Sequence, residues 1–329
     1  MKNYTKKIIS GMRPTGRIHL GNYNGVLKNW VKLQNHYECF FFIADMHALT
    51  THQNNNNINE NTNTMILEWL ASGINPKKCN IFIQSHIPET FELHLILSMI
   101  TPISWLKRVP AYKESEVNNK QQTYGFLGYP ILQGADILTF KADYVPIGED
   151  QLPHIELIRE IVRKFNNIYK NNKKILIEPN AILSEHPKIL GTDGKKMSKS
   201  KNNTILISDD TDILKKKINK MQTDPLRITK NIKGNPNNCS VWYLHKIYSK
   251  KSEQFFIEES CRNANIGCVK CKIYIYEKII NDTSLIREKI KKYEQDKYII
   301  KDIIKYNYKK TRIIAKNTLK EVKSIINIT

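Results

Sequence analysis

Short apolar runs alternate with longer helical patterns over the first two-thirds of the chain. Four of these runs predict strands: KKIISGM, which ends at Gly11, CFFFIAD, NIFIQSH and DYVPIG. The second run is apolar almost throughout, which is typical of a strand buried on both faces. An alternation of strand, helix and strand predicts an α/β fold with a Rossmann-like, doubly wound parallel sheet.

Between the predicted strands, apolar residues recur at spacings of three and four, which indicates amphipathic helices. One such face carries Tyr23, Val26, Trp30 and Leu33. After Gly148, a long helix carries Leu152, Ile155, Ile158, Val162 and Phe165. The stretch GYPILQGADILTF predicts a helix that begins near Pro130, and NTMILEWLASG predicts another after an Asn-rich loop at 53–63.

The strand rhythm stops at about Asp209. The stretch DDTDILKKKINKM opens with Asp residues suited to capping a helix, and LIREKIKKYEQDKYIIKDIIKY is helical with a basic outer face. We therefore predict two domains, an α/β domain over 1–208 and an all-helical domain over 209–329. A length of 329 residues is sufficient for two cores.

No apolar run approaches the roughly 20 residues that span a bilayer, and the chain does not open as a signal peptide would. We expect a soluble, cytoplasmic protein. Because that compartment is reducing, the six cysteines are interpreted as free thiols or metal ligands before disulfides.

The formal net charge of +21 favours a polyanionic partner such as nucleic acid. Residues 211–329 hold 27 Lys and Arg against 12 Asp and Glu, which is +15 of that total. The abundance of Lys, Asn and Ile is equally typical of an AT-rich genome, so charge alone leaves both origins open. The C-terminal third is the better candidate for a phosphate-facing surface.

Two stretches carry candidate phosphate chemistry. SGMRPTGRIHLGN places three glycines and a His at the mouth of a helix, where backbone N–H groups suit an anion. Its spacing is not that of the dinucleotide fingerprint G-x-G-x-x-G, and a packing role for the glycines stays open. GTDGKKMSKSKNN (191–203) surrounds Lys195, Lys196, Lys199 and Lys201 with small residues. Such a loop suits phosphate transfer, although a solvated basic loop is the alternative.

Together these stretches resemble the two ATP-binding elements of the class I aminoacyl-tRNA synthetases. HLGN is similar to the His-Ile-Gly-His element, and KMSKS matches the second element letter for letter. GYPILQGADIL, VPIGEDQLPHIELIRE and FFIADMHALTT further resemble the bacterial-type tryptophanyl-tRNA synthetases, over essentially the whole chain. The resemblance implies a catalytic domain over 1–208, an anticodon-recognition domain over 209–329, and a homodimer.

The implied activity is ATP-dependent attachment of L-tryptophan to tRNA(Trp) through a tryptophanyl-adenylate, with Mg²⁺ and without a protein nucleophile. A tyrosyl-tRNA synthetase is the nearest alternative. A catalytically retired synthetase that binds RNA and a nucleotidylyltransferase outside translation are two others. The residues GEDQ and GADIL weigh against the tyrosyl alternative.

The resemblance places six residues at the amino acid: Asp136, Tyr129, Gln133, Val145, Ile147 and His47. Asp136 is expected to accept the indole N–H, which agrees with an indole ring that donates one hydrogen bond and accepts none. Tyr129 is expected to line the pocket, and Gln133 to lie near the substrate ammonium. Lys113 and His47 are expected near the reacting groups.

The resemblance assigns ATP to two sets of residues. The first is Arg13, Pro14, Thr15, His19, Gly21, Asn22, Gly148, Glu149, Asp150 and a backbone contact near Ile189. The second is the loop Lys196, Met197, Ser198, Lys199 and Ser200. His19, Lys196 and Lys199 are the expected catalytic contacts to phosphate. Many members of the family have Gln where this chain has Arg13, so the role of Arg13 stays open.

Four cysteines, Cys239, Cys261, Cys268 and Cys271, have the spacing C-x₂₁-C-x₆-C-x₂-C. Four thiolates suit a tetrahedral metal or a cubane cluster. Neighbouring Asn, Arg and Gly indicate a loop rather than a core for the last two. The arrangement resembles tryptophanyl-tRNA synthetases that hold a [4Fe-4S] cluster, with Zn²⁺ or unmetallated thiols as alternatives. A filled set of four ligands predicts a structural or tRNA-facing role.

Overall fold

The computed structural model of the protein describes residues 6–51, 53, 57–117, 123–169, 174–183, 189–296 and 298–328. The strands are β1 (Lys7–Met12), β2 (Glu38–Ile43), β3 (Asn80–Ile83), β4 (Tyr144–Ile147) and β5 (Asn180–Leu183). The helices up to residue 168 are α1 (Leu20–Asn22), α2 (Lys28–Leu33), α3 (Asp45–Ala48), α4 (Ile58–Ala71), α5 (Pro88–Ile100), α6 (Ile103–Lys107), α7 (Pro110–Val117), α8 (Tyr124–Thr139) and α9 (Leu152–Ile168). The later helices are α10 (Thr211–Lys220), α11 (Ser240–Tyr248), α12 (Lys251–Arg262), α13 (Cys268–Gln295) and α14 (Ile299–Ile325).

The five strands form one parallel sheet in the order β3-β2-β1-β4-β5. Strand β1 pairs with β2 from Lys7 opposite Glu38 to Met12 opposite Ile43. Because the chain order reverses between β1 and β4, this is a doubly wound, Rossmann-like sheet, and the predicted fold class is confirmed. In such a sheet, ligands bind beyond the carboxyl ends of the strands, next to that reversal.

The sheet is buried on both faces, and neighbouring residues of one strand belong to opposite core layers. On β2, Phe41 packs into one layer and Phe40 into the other. Helices α4 and α13 contribute to the first layer, while α5, α8, α9 and α14 contribute to the second. Helix α13 packs on α4 over the first layer, whereas α14 lies along the edge strand β3 and its residues reach both layers. A small third cluster lies entirely within the helical part of the chain, around Trp242, Ile257 and Ile266.

Three details differ from the sequence expectation. Helix α8 begins at Tyr124 rather than near Pro130, because the Thr123 hydroxyl accepts the Phe126 N–H at 3.1 Å and caps the helix. Strand β5 was not predicted, since four residues at a sheet edge give little periodicity. Asp210 takes the cap position of α10 but makes no capping hydrogen bond with its side chain.

Residues 20–33 form a helix interrupted by a π-helical turn at Tyr23–Leu27. This turn shifts the buried face, so Tyr23, Leu27 and Trp30 are buried while Val26 is only partly covered. π-helical turns inside α-helices are frequent at functional sites. Among the described helices, none combines the length and the apolar character that crossing a membrane requires.

Candidate active site

A cavity of about 490 Å³ opens at the carboxyl ends of the strands, at the reversal point of the sheet. It is lined by Ser10 and Gly11 of β1 and by Val145 and Ile147 of β4. Gly11 leaves essential room here, because a β-carbon at this position would lie 2.4 Å from the Phe42 ring. The parallel sheet thus places a partly open, largely apolar cavity where ligand binding is expected.

All six residues predicted at the amino acid line this cavity: Asp136, Tyr129, Gln133, Val145, Ile147 and His47. Arg13 lines it as well, and its Nη1 donates to the Thr51 hydroxyl at 3.2 Å. Val145 and Ile147 come from β4, whereas the polar members come mainly from α8. Apolar walls with a few convergent polar groups are the usual composition of a small-molecule site.

Asp136 lies on α8 with 3 % of its surface exposed. Gln84 donates from Nε2 to both carboxylate oxygens at 2.9 Å, and His47 Nε2 donates to Oδ2 at 2.8 Å. Burial raises the pKa of Asp136, while the donors His47 and Gln84 act in the opposite direction. A carboxylate accepts about four hydrogen bonds, so Asp136 retains capacity for one further donor from a ligand.

A second hydrogen-bonded chain runs along the same wall of the cavity. His154 Nδ1 lies 2.9 Å from Gln133 Oε1, and its Nε2 lies 3.3 Å from the Tyr129 hydroxyl. Burial lowers the pKa of His154 and raises that of Tyr129 to about 12, so both side chains are neutral near pH 7. The consistent assignment is that Tyr129 donates to Nε2 and His154 Nδ1–H donates to Gln133. One lone pair of the Gln133 oxygen then stays available for a substrate ammonium.

The HLGN stretch begins α1 immediately after β1 and its loop. The His19 side chain caps this helix, because its Nδ1 accepts the Asn22 N–H at 3.2 Å. Burial, followed by the charge of Lys199, lowers the pKa of His19 to about 4, so the ring is neutral with its proton on Nε2. A β-carbon on Gly21 would lie 2.8 Å from the His19 ring, so a larger residue there would displace the histidine.

The KMSKS loop is shaped by Asn203, which is almost fully buried. Its Oδ1 accepts the Ser198 N–H at 2.7 Å, and its Nδ2 donates to Asp193 at 2.7 Å and to the Lys196 carbonyl at 3.2 Å. Ser198 and Ser200 pair through their hydroxyls at 3.0 Å, and Met197 is buried. Lys196 is exposed.

The two ATP-type stretches meet in the structure. Lys199 Nζ donates to the Gly16 carbonyl at 2.6 Å. Leu20 N–H donates to the Ile205 carbonyl at 2.8 Å, and Ile207 N–H donates to the Ile18 carbonyl at 3.0 Å. The segment that follows the lysine loop is therefore hydrogen-bonded to the HLGN turn, and Lys199 is held next to the Gly-rich loop. Burial lowers the pKa of Lys199 to about 8.

The remaining residues expected at ATP lie in the Gly-rich loop, beside the lysine loop and near the mouth of the cavity. Pro14 is buried and Thr15 N–H donates to the Arg13 carbonyl at 2.8 Å. The Ile189 carbonyl accepts a hydrogen bond from the Met197 N–H at 3.0 Å, so this carbonyl already has a partner within the protein. Glu149 and Asp150 are exposed in a 3₁₀ turn after Gly148, beside Gln151 at the cavity. Lys113 is exposed on α7.

Sequence reasoning missed three polar residues that organise the site: Gln84, His154 and Asn203. The sequence indicates Gln84 only as part of a strand end and His154 only as part of a helix. Each is nevertheless buried and hydrogen-bonded to a predicted site residue. The available signal for Gln84 is its position, since it directly follows β3 at the edge where ligands bind. Asn203 gives no motif signal of its own.

The four C-terminal cysteines occupy one region, but not the predicted loop. Cys268 and Cys271 lie in the first turn of α13, Cys261 lies in α12, and Cys239 is the cap residue of α11. The loop prediction was wrong because the Gly267 position starts a helix directly before Cys268. Burial, reinforced by the other three thiols, raises the pKa of Cys271 to about 12.

The surroundings of the cysteines are apolar with one buried cation. Cys239, Cys261 and Cys271 pack on Trp242, Ile257 and Ile266. Arg227 Nη1 donates to the Cys261 sulfur at 3.5 Å, and His245 Nε2 lies 3.3 Å from the Cys271 sulfur. Within the described ranges, no three or more His, Cys, Asp and Glu side chains are spaced to hold a metal ion.

Comparison with known proteins gives one consistent family. Residues 1–282 match the family model described as tRNA synthetases class I (W and Y). The tryptophan–tRNA ligase of Thermotoga maritima is 46 % identical over 328 residues, covering 98 % of this chain and 99 % of the relative. That of Aquifex aeolicus is 40 % identical, covering 98 % and 100 %. The tryptophanyl-tRNA synthetase of Campylobacter jejuni, solved with ADP and tryptophan, superposes with a TM-score of 0.86 at 32 % identity, covering 98 % of this chain and 100 % of that one.

Proposed function

This chain belongs to the class I tRNA synthetases for tryptophan and tyrosine, and on that basis we propose that it attaches L-tryptophan to tRNA(Trp) with ATP. The activity is that of a ligase, and it proceeds through a tryptophanyl-adenylate. One observation carries the choice of amino acid: a buried carboxylate, Asp136, lies in an apolar cavity. Indole offers that carboxylate a single N–H donor together with apolar faces.

The residues support a direct displacement at phosphorus. The tryptophan carboxylate attacks the α-phosphorus of ATP, and pyrophosphate leaves with the electron pair of the broken P–O bond. His19 donates its Nε2–H to a phosphate oxygen, since its Nδ1 is occupied by the Asn22 N–H. Lys199 and Lys196 stabilise the negative charge that moves onto pyrophosphate. Mg²⁺ bound to the ATP phosphates would neutralise part of the same charge.

Amino-acid-dependent pyrophosphate exchange tests the assignment. We expect exchange with tryptophan and little with tyrosine at equal concentration, because the larger indole ring fills the space between the apolar walls of Val145 and Ile147, which a phenol ring fills less completely. The reverse preference would establish the tyrosyl alternative. Absence of exchange with either amino acid, from a folded protein, would favour a retired synthetase that binds RNA. Omitting the amino acid serves as the control for contaminating activities.

The transfer step requires bound tRNA, and we propose that the helical part of the chain contributes to binding it. The terminal ribose hydroxyl of the tRNA attacks the activated carbonyl, and AMP leaves. We propose that 1–208 is the catalytic domain and that 209–329 recognises the anticodon. This proposal is supported by the net charge of +15 over 211–329, because phosphates are neutralised by Lys and Arg. A role in translation is consistent with a cytoplasmic location.

We propose a homodimer as the working form. Leu95 and Met99 on α5 and Ile103 on α6 are 53 %, 73 % and 62 % exposed, so neighbouring helices present an uncovered apolar surface. We propose that a second copy of the chain covers this surface, because the family resemblance implies two subunits. Light scattering should give twice the 38.4 kDa chain mass, and a monomeric mass would contradict it.

We also propose that Cys239, Cys261, Cys268 and Cys271 bind a metal, with a [4Fe-4S] cluster as the first choice and Zn²⁺ as the alternative. The donor set fits either one chemically, since Cys239, Cys261 and Cys271 share an apolar site with the Arg227 guanidinium beside them, and the Cys268 thiol acts on Cys271 electrostatically. Binding requires the thiols to approach one another and to lose their protons, which burial opposes in the metal-free state. A bound cluster would stabilise the fold of the helical region.

Anaerobic purification should give a protein with a broad brown iron–sulfur absorbance, which Cys268→Ser removes. Cys79→Ser is the matched control, because Cys79 is buried in the sheet domain far along the chain. Elemental analysis separates the alternatives: iron supports the cluster and zinc supports the tetrahedral site. A protein with neither element contains free thiols, and the metal proposal is then wrong.

A further inference from the structure

A buried carboxylate lies under the junction of the two ATP-binding stretches, and the reaction described above gives it no role. Glu68 projects from α4 and is 0 % exposed. Its Oε2 accepts the Ile18 N–H at 2.6 Å, one residue before His19. Its Oε1 is buried without a hydrogen-bond partner within the described residues. A carboxylate without full pairing is costly to bury, so its retention in the sheet core requires a physical reason.

The surroundings of Glu68 belong to both ATP-binding stretches. Ile18 forms part of the turn that is joined to Ile207 by a hydrogen bond of 3.0 Å. The buried Ser208 hydroxyl lies next to Glu68 and, as a nearby donor, lowers the pKa of Glu68. Neither the Ser208 oxygen nor Glu68 Oε1 has a partner with hydrogen-bond geometry among the described residues. Glu68 therefore lies below the point where the HLGN turn and the segment after the KMSKS loop are joined.

Two cations act on Glu68, and they belong to the same stretches. Arg17 and Lys199 both favour its ionised form, while burial is the largest effect and raises its pKa to about 7. Arg17 is also paired with Glu294 of α13 at 3.5 Å, so its charge is shared. In return, Glu68 favours the protonated form of Lys199, whereas burial and Arg13 disfavour it. His19 is the other titratable group affected by Lys199.

We propose that Glu68 is a positioning residue of the ATP site. It holds the HLGN turn through the Ile18 N–H, and its carboxylate places a negative charge beneath the point where the HLGN turn and the segment after the KMSKS loop are joined. Both effects act through other residues, since Glu68 is enclosed by protein and does not line the amino-acid cavity. The inference rests on the proposed function, because it concerns how this chain orients ATP.

Substitution can separate the hydrogen bond that Glu68 accepts from the Ile18 N–H from the negative charge of Glu68. Glu68→Gln keeps an oxygen that can accept the Ile18 N–H but removes the charge. Glu68→Leu removes both. Glu60→Gln is the matched control, because Glu60 lies on the same helix and is exposed. None of these residues contacts the expected positions of tryptophan.

Steady-state pyrophosphate exchange at several pH values is the test, with tryptophan binding measured by equilibrium dialysis. Glu68→Gln should lower kcat/KM for ATP about tenfold, as expected for loss of a charge-assisted interaction. It should also move the alkaline loss of kcat/KM for ATP to lower pH by about one unit, because Lys199 loses an opposite charge. Glu68→Leu should show a larger rise in KM for ATP. The dissociation constant for tryptophan should stay unchanged.

The outcomes are distinguishable. If the wild-type protein shows no tryptophan-dependent exchange, the proposed function fails. If the wild type is active and Glu68→Gln matches it in KM for ATP and in the alkaline limb, the positioning role is wrong. Equal losses in ATP and tryptophan affinity with an unmoved alkaline limb would indicate general structural damage and would also refute it. If Glu68→Leu does not fold, the near-isosteric Glu68→Gln still decides.

Discussion

Lys199→Ala is expected to reduce tryptophan-dependent pyrophosphate exchange by about 10²- to 10³-fold while leaving tryptophan binding nearly unchanged. The ammonium lies at the junction of the HLGN and KMSKS stretches, where we propose that ATP binds, and its Nζ donates to the Gly16 carbonyl at 2.6 Å. Charge on the transferring phosphates grows as pyrophosphate leaves, so a fixed cation there stabilises the transition state more than bound ATP. The loss should therefore appear mainly in kcat.

The matched control is Lys201→Ala, because Lys201 is an exposed lysine two positions away in the same loop. It removes the same charge from the protein and should leave exchange within a few-fold of the wild type. Tryptophan affinity, measured by equilibrium dialysis, tests whether the Lys199 variant retains a folded amino-acid site. Unchanged exchange in Lys199→Ala would overturn the assignment of this loop to phosphate transfer.

Lys199 also predicts a pH dependence. Burial lowers its pKa to about 8, so the catalytically useful ammonium is present below that pH and is lost as the pH rises through it. His19 stays neutral across this range because its pKa is about 4. The alkaline decline in kcat/KM for ATP of the free enzyme is therefore assigned to Lys199 rather than to His19.

The sheet could be predicted from the sequence because the central strands are strongly apolar. β2 has five fully or nearly buried residues in a row, and so short an apolar run is typical of a strand covered on both faces. β5 was not foreseen, since Asn180–Leu183 lies at the edge of the sheet and is only partly covered. The packing of α13 on α4 and of α14 along β3 also lay beyond sequence patterns. Amphipathic spacing shows that a helix has an apolar face and does not show which surface covers it.

Motifs in the sequence predicted part of the candidate site, and the hydrogen bonds of the structure revealed further residues. Residues of the HLGN and KMSKS stretches, and the acid of GADIL, were found because their spacing is specific. Gln84 and Glu68, which hold these residues, were not found, since their hydrogen-bond partners are distant in sequence. Gln84 and Asp136 are 52 positions apart, yet they share two hydrogen bonds. A hydrogen-bond partner across such a separation leaves no local signal.

Asp136→Asn is expected to reduce kcat/KM for tryptophan by roughly 10²-fold, the worth of a hydrogen bond to a buried charge. The substitution keeps the shape of the side chain, so His47 and Gln84 retain a polar partner in place of the carboxylate that they now bind at 2.8 and 2.9 Å. What is lost is an acceptor with a full negative charge facing the indole N–H. KM for ATP should change little, because ATP is expected to bind at the HLGN and KMSKS stretches.

An analogue separates the loss of this hydrogen bond from general damage to the pocket. In L-3-benzothienylalanine, sulfur replaces the indole N–H while the ring keeps its size. The wild-type protein should prefer tryptophan over this analogue by roughly the factor that Asp136→Asn costs, because both changes delete the same hydrogen bond. The Asn variant should accept the two amino acids almost equally. If it keeps the wild-type preference, Asp136 does not bind the indole nitrogen, and selectivity must come from the apolar walls formed by Val145 and Ile147.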